Sequence, residues 1–132
     1  VKKNTKKSTK TNNSTKEASV TDLKEKFKTE KTYAILKKIL ILEKENTAAL
    51  LKYSEEGISL FPAQPYVYLV KGTVLNSQKE YDKALTSLKN GIDFVIEEKM
   101  EVDFYKEMAK SYNGLGNLKE AKKVTDKWKK MK

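Results

Sequence analysis

The side chains able to carry chemistry in this chain are few in kind. Histidine and cysteine are both absent, which removes imidazole general bases, thiolate nucleophiles and the usual structural zinc sets, and with them any disulfide. Catalysis would fall to Asp, Glu, Lys, Tyr or Ser. The adjacent carboxylates Glu55-Glu56 and Glu97-Glu98 read as solvated helix faces, because neighbours along a helix point about 100° apart and do not share a site. Gly114-Leu115-Gly116 lacks the strand-to-helix context that a phosphate-cradling loop requires. The chain is therefore expected to be no enzyme, with no catalytic residue, metal ligand or cofactor, and the chemistry on offer is that of a binding surface.

Lysine is the other candidate. The formal net charge is +10, but it is concentrated at the two ends: residues 1–16 hold six Lys and no acid, residues 119–132 hold seven Lys and two acids, and residues 17–118 hold 15 Lys against 16 acids. All 28 basic residues are Lys. Specific recognition of phosphates or guanine edges favours the planar, bidentate guanidinium, so the charge reads as non-specific and no specific nucleic-acid partner is expected. An A-rich coding genome would give the same bias.

These residues must be positioned by helices. Residues 1–19 contain Lys, Thr, Ser, Asn, one Glu and small apolar residues without apolar periodicity. Such a stretch cannot bury enough surface to offset its ordering entropy and reads as a basic disordered tail or linker. Ser19 to Asp22 offers a helix start; Leu23 to Lys31 is either a short lead-in helix or a fraying one. From Thr32, Ile35, Leu36, Ile39, Leu40 and Leu42 recur at helical spacing in too wide a stripe to be covered from one side. Further helices are expected over Ala48–Leu60, Tyr66–Ser77, Tyr81–Ile96, Val102–Asn113 and Leu118–Met131, separated by Pro62, Pro65 and turn residues. No stretch alternates apolar and polar residues long enough for a strand, and no apolar run approaches the roughly 18 residues of a membrane span. A soluble chain is expected, cytoplasmic by preference, or in the bacterial envelope or periplasm if the initial Val marks a processed fragment.

The segment from Pro65 to Glu98 repeats elsewhere. A shift of 34 residues lays Gly91-Ile92 onto Gly57-Ile58 and Leu85 onto Leu51. Tyr68, Gly72, Leu75, Tyr81, Ala84, Leu88 and Ile92 place large groups on one side of two helices and small groups where the helices must touch. A period in this range signals stacked units. The pattern resembles the tetratricopeptide repeat, a helix-turn-helix unit of about 34 residues, with Lys71 in place of a usual Leu and Gly91 in place of a usual Ala. A second copy over 102–131 carries Tyr105, Met108, Ala109, Tyr112, Gly116, Leu118 and Ala121, with about three extra residues near Ile96 to Met100. A degenerate copy over 31–64 retains Ile41, Gly57, Ile58 and Pro62 but has Leu50 where a small residue belongs.

The resemblance implies an all-α fold, a short α-solenoid of about two and a half to three antiparallel helix pairs occupying residues 20–132. It also implies a protein-interaction scaffold whose first helices line a groove for a peptide or helix. Carried over by position, the middle copy offers Tyr66, Leu69, Val70, Thr73, Asn76 and Ser77, the last copy Asp103, Lys106, Glu107, Lys110 and Asn113, and the first copy Thr32, Ile35, Leu36 and Ile39. For Leu69, Val70, Ile35 and Ile39 the alternative is simple packing. The clamp by which some members hold acidic chaperone tails is not expected, because its positions here are Ile35, Ile39, Val70, Asp103 and Glu107. Trp128, where a small residue is usual, either folds over the last groove as its own cap or anchors a partner or second copy. Partners are thus expected to be another protein or peptide, with a homo-oligomer through the C-terminal face and anionic surfaces met by the lysine tail as alternatives.

Overall fold

The computed structural model describes the backbone of residues 12–131 and the side chains of residues 19–131, so the lysine-rich stretch 1–11 and Lys132 lie outside the described residues. Among the described residues the protein is all-α, with no strand, and its helices are α1 (Asn12–Thr29), α2 (Tyr33–Leu42), α3 (Thr47–Leu60), α4 (Pro65–Ser77), α5 (Tyr81–Ile92), α6 (Glu98–Gly114) and α7 (Leu118–Lys130). No described helix is long and apolar enough to cross a membrane. The chain forms two compact units, Val1–Asn46 and Thr47–Lys132. Their boundary falls inside the copy expected over 31–64, so α2 and α3 belong to different units.

In the first unit α1 packs on α2. The lead-in helix expected from Ser19 is part of a longer α1 that already starts at Asn12, so residues 12–19, expected to belong to a disordered tail, are helical. Val20 and Phe27 on it are buried, Phe27 at 2% exposure, and the Lys31 ammonium lies 4.8 Å over the Phe27 ring. Thr32 caps α2 by accepting a hydrogen bond from the Ile35 amide at 3.3 Å. Lys24 of α1 pairs with Glu43 at the end of α2. Ile35, Leu36, Ile39 and Leu40 are all buried.

The second unit is built on α4. This helix packs on α3, α5 and α6, and α6 packs in turn on α5 and α7. Pro65 opens α4 at its first turn, where a missing amide hydrogen is harmless. Two glycines allow the close approach of α5: a Cβ at position 72 would stand 2.5 Å from Leu88 Cδ2, and one at position 91 would overlap the Cβ and ring of Tyr68. Small residues therefore stand where the helices touch, as their spacing suggests.

The two following turns have one geometry. At the end of α4 the Glu80 amide donates to the Leu75 carbonyl at 2.8 Å and the Lys79 amide to Asn76 at 2.9 Å. At the end of α6 the Asn117 amide donates to Tyr112 at 2.8 Å and the Gly116 amide to Asn113 at 3.0 Å. Both are Schellman closures, 37 residues apart, with Lys79 at φ 63° and Gly116 at φ 78° in the left-handed position. α5 ends at Ile92, four residues before the expected end, and α6 begins at Glu98, four residues early. The cause is Phe94: it leaves the helix to stack on Tyr68, with ring centroids 6.0 Å apart, while the Phe94 amide closes on Gly91 at 3.0 Å. The connection between α5 and α6 accordingly occupies positions 93–97.

Candidate docking surface

On α4, Tyr66, Val70 and Thr73 continue through Asn76 and Ser77 along one stripe, by their spacing of three and four residues. On α6, Asp103, Lys106, Glu107, Lys110 and Asn113 form the corresponding stripe. Where α4 meets α6, a depression of about 540 Å³ is lined by Thr73, Asn76, Ser77, Glu107, Lys110 and Asn113, together with Tyr81 and Gly114.

Its floor is a hydrogen-bond bridge. The Asn76 amide nitrogen donates to the Glu107 carbonyl oxygen at 2.9 Å and to the Glu107 carboxylate at 3.0 Å, and its amide oxygen accepts from the Ser111 hydroxyl at 2.8 Å. Asn76 and Ser111 are buried. A buried carboxamide with both ends satisfied holds α4 to α6 in one register, since unpairing it would leave several polar atoms without partners. Asn76, expected to face a ligand, is therefore turned inward as the floor. Lys110 pairs with the Glu107 carboxylate at 2.9 Å and Ser77 donates to the Val74 carbonyl at 2.6 Å. Above them Thr73, Ser77, Lys110 and Asn113 are exposed. The surface thus offers hydroxyl, amide and ammonium groups over a rigid base, which suits the hydrogen-bonding edge of a peptide.

The remaining expected residues fall around this depression. Tyr66, Leu69 and Val70 are half-buried on the first two turns of α4, and burial pushes the Tyr66 phenol above its ordinary pKa. Asp103 and Lys106 are exposed beyond the other end. The Lys106 ammonium lies 4.8 Å over the ring of the half-buried Trp128, so α7 meets that lysine through its aromatic face. Thr32, Ile35, Leu36 and Ile39 belong to the first unit, where the first is a helix cap and the other three are buried in α2.

Two lining residues escaped the sequence reading of the groove, Tyr81 and Gly114. The Tyr81 ring lies where a Cβ at position 114 would be. Each carried a signal, Tyr81 among the spaced large groups of the repeated segment and Gly114 in the Gly114-Leu115-Gly116 run, but their meeting depends on how α5 packs on α6. Among the described residues no group of three Asp or Glu could hold a metal ion and no buried side-chain polar atom lacks a partner. Tyr105, on α6, has its phenol pKa raised by burial and by the charge and hydrogen bond of Glu101, 3.2 Å away. Compared with known proteins, the chain matches no family model, no curated protein and no solved structure.

Proposed function

We propose that Thr47–Lys132 is a tetratricopeptide-like repeat element and that the chain is a non-catalytic interaction module, receiving an extended peptide or a helix of another protein on the α4–α6 face. The observation that carries this reading is the Asn76 bridge, which fixes the two helices beneath an open depression lined mainly by polar residues. The recurrence of one turn geometry 37 residues apart, and of Tyr68, Gly72 and Ala84 as Tyr105, Ala109 and Ala121, supports the repeat reading. Thr73, Ser77, Lys110 and Asn113 would bond a partner's backbone and polar side chains, while Tyr66, Leu69 and Val70 would take its apolar ones, a division suited to a mixed or amphipathic segment.

The test is retention of proteins from a lysate of the source organism by the full chain and by a Thr73→Arg, Asn113→Arg double variant. Both positions are exposed, so the fold should survive. At least one protein should be retained about tenfold better by the native chain, equivalent to about 1.4 kcal/mol. Equal retention of every captured protein would rule out the α4–α6 face.

A further inference from the structure

α4 has a second concave side. Tyr68, Lys71 and Leu75 recur at i, i+3 and i+7 and share the face opposite Thr73 and Ser77. With Leu51, Glu55 and Ile58 of α3 and Lys83, Ser87 and Asn90 of α5 they enclose a cleft of about 440 Å³, within the range of about 300–1,000 Å³ typical of small-ligand sites. Leu51, Ile58, Leu75 and the Tyr68 ring form its apolar wall, and Gln78, Glu80 and Thr86 add polar groups to the rim. Lys71 is the cation set among them: its side chain is only 29% exposed, and its ion pair with Glu55 is 3.7 Å long, well beyond the roughly 2.7–2.9 Å of a charge-assisted hydrogen bond. Glu55 is itself 54% exposed and can be released to water. Lys83 is more exposed and pairs with Glu80 at 3.2 Å.

The matching position of the next hairpin, 37 residues on, is Met108, which is buried at 7% exposure. The equivalent place in the second hairpin is thus filled by an apolar side chain, whereas the lysine here brings an ammonium with spare donors to the apolar wall of the cleft. We propose that the α3–α4–α5 cleft binds an aliphatic carboxylate, its hydrocarbon part on Leu51, Ile58 and Leu75 and its carboxylate on Lys71 in place of Glu55. A free aliphatic acid and the C-terminus of a peptide ending in an aliphatic residue present the same chemistry. The site does not rest on the α4–α6 docking surface, because it uses the other face of α4, and either can fail alone.

The experiment is a two-dimensional amide NMR titration of the full chain with sodium octanoate, octanamide, octylammonium, acetyl-Ala-Leu with a free carboxylate, and the same peptide amidated. Saturable shifts are expected at Ile58, Tyr68, Lys71 and Ser87, at least about tenfold tighter for a carboxylate than for its uncharged counterpart, and lost in Lys71→Met with the spectrum still dispersed. Saturation by octanoate alone identifies a free acid, by acetyl-Ala-Leu alone a peptide end, and by both the shared headgroup. Equal response to octanamide or octylammonium, undiminished binding by Lys71→Met, shifts centred on Thr73 and Lys110, or no saturating shift would each overturn the proposal.

Discussion

The hairpins α4–α5 and α6–α7 share a turn and differ in their packing. Position 72 is Gly under Leu88, and its counterpart 109 is a buried Ala. Leu88 is fully buried, whereas its counterpart Thr125 is half-buried. The sharpest contrast is Gly91 against Trp128. Tyr68 lies across Gly91, is buried, and donates from its hydroxyl to the Pro62 carbonyl at 2.7 Å. Tyr105 has no such glycine opposite; it is half-buried, with the Lys127 ammonium 5.2 Å over its ring, while Trp128 lies beneath Lys106. The first hairpin is closed by small-to-large apolar fit; the second packs Ala109, Tyr112, Ala121 and Val124 together and adds aromatic rings beneath lysine ammonium groups. A repeated backbone can therefore be kept while side-chain changes at a few equivalent positions decide which surfaces stay open.

This contrast orders the expected effects of substitution. Leu88→Ala should destabilise the protein by about 2–5 kcal/mol through the cavity it leaves, whereas Thr125→Ala should change stability by no more than about 0.5 kcal/mol; parallel urea melts compare the two, and similar losses would break the comparison. Gly91→Ala should cost about 1–3 kcal/mol, because a methyl there meets the base of the Tyr68 side chain, which cannot swing aside, and this exceeds the gain in helix propensity. Smaller still, Lys79→Gly should raise stability by about 1 kcal/mol and Gly116→Lys should lower it by a similar amount, since both occupy the same left-handed position; thermal melts of the pair test whether the turns are equivalent.

The smallest effect concerns pH. Because the Tyr105 phenol is raised in the folded state, chiefly by burial and then by Glu101, its contribution is fully present below its ordinary pKa near 10 and is lost as pH rises through the higher folded value. Phenolate absorbance of the folded protein should show two late-titrating phenols, Tyr66 and Tyr105, of which Tyr105→Phe removes one.

The number and type of the helices, the glycine contacts and the turns after α4 and α6 were legible in the sequence because each depends on local spacing, whereas the start of α1 and the ends facing the α5–α6 connection were not. Gly72 and Gly91 fall where two periodic faces must meet, and Gly116 follows a helix end. Features set by distant partners were not legible. Asn76 reads as a surface residue on its own helix, and only Glu107 and Ser111, 31 and 35 residues away, turn it inward. The early end of α5 depends on the Tyr68 ring that receives Phe94, and the division at Asn46 separates two helices that the repeat period joins. Ile35 and Ile39 illustrate the limit of periodicity: it identified a wide apolar face without telling packing from binding.

The α4–α6 face is tested most directly by placing a photoreactive phenylalanine analogue at Thr73, at Asn113 and, as a control, at the exposed Ser59 of α3, and irradiating cells of the source organism that express the full chain. Adducts joining the chain to one and the same other protein are expected from Thr73 and Asn113 and not from Ser59. Adducts only with a second copy of the chain, equal adducts from all three positions, or none from the first two would contradict a docking surface for another protein.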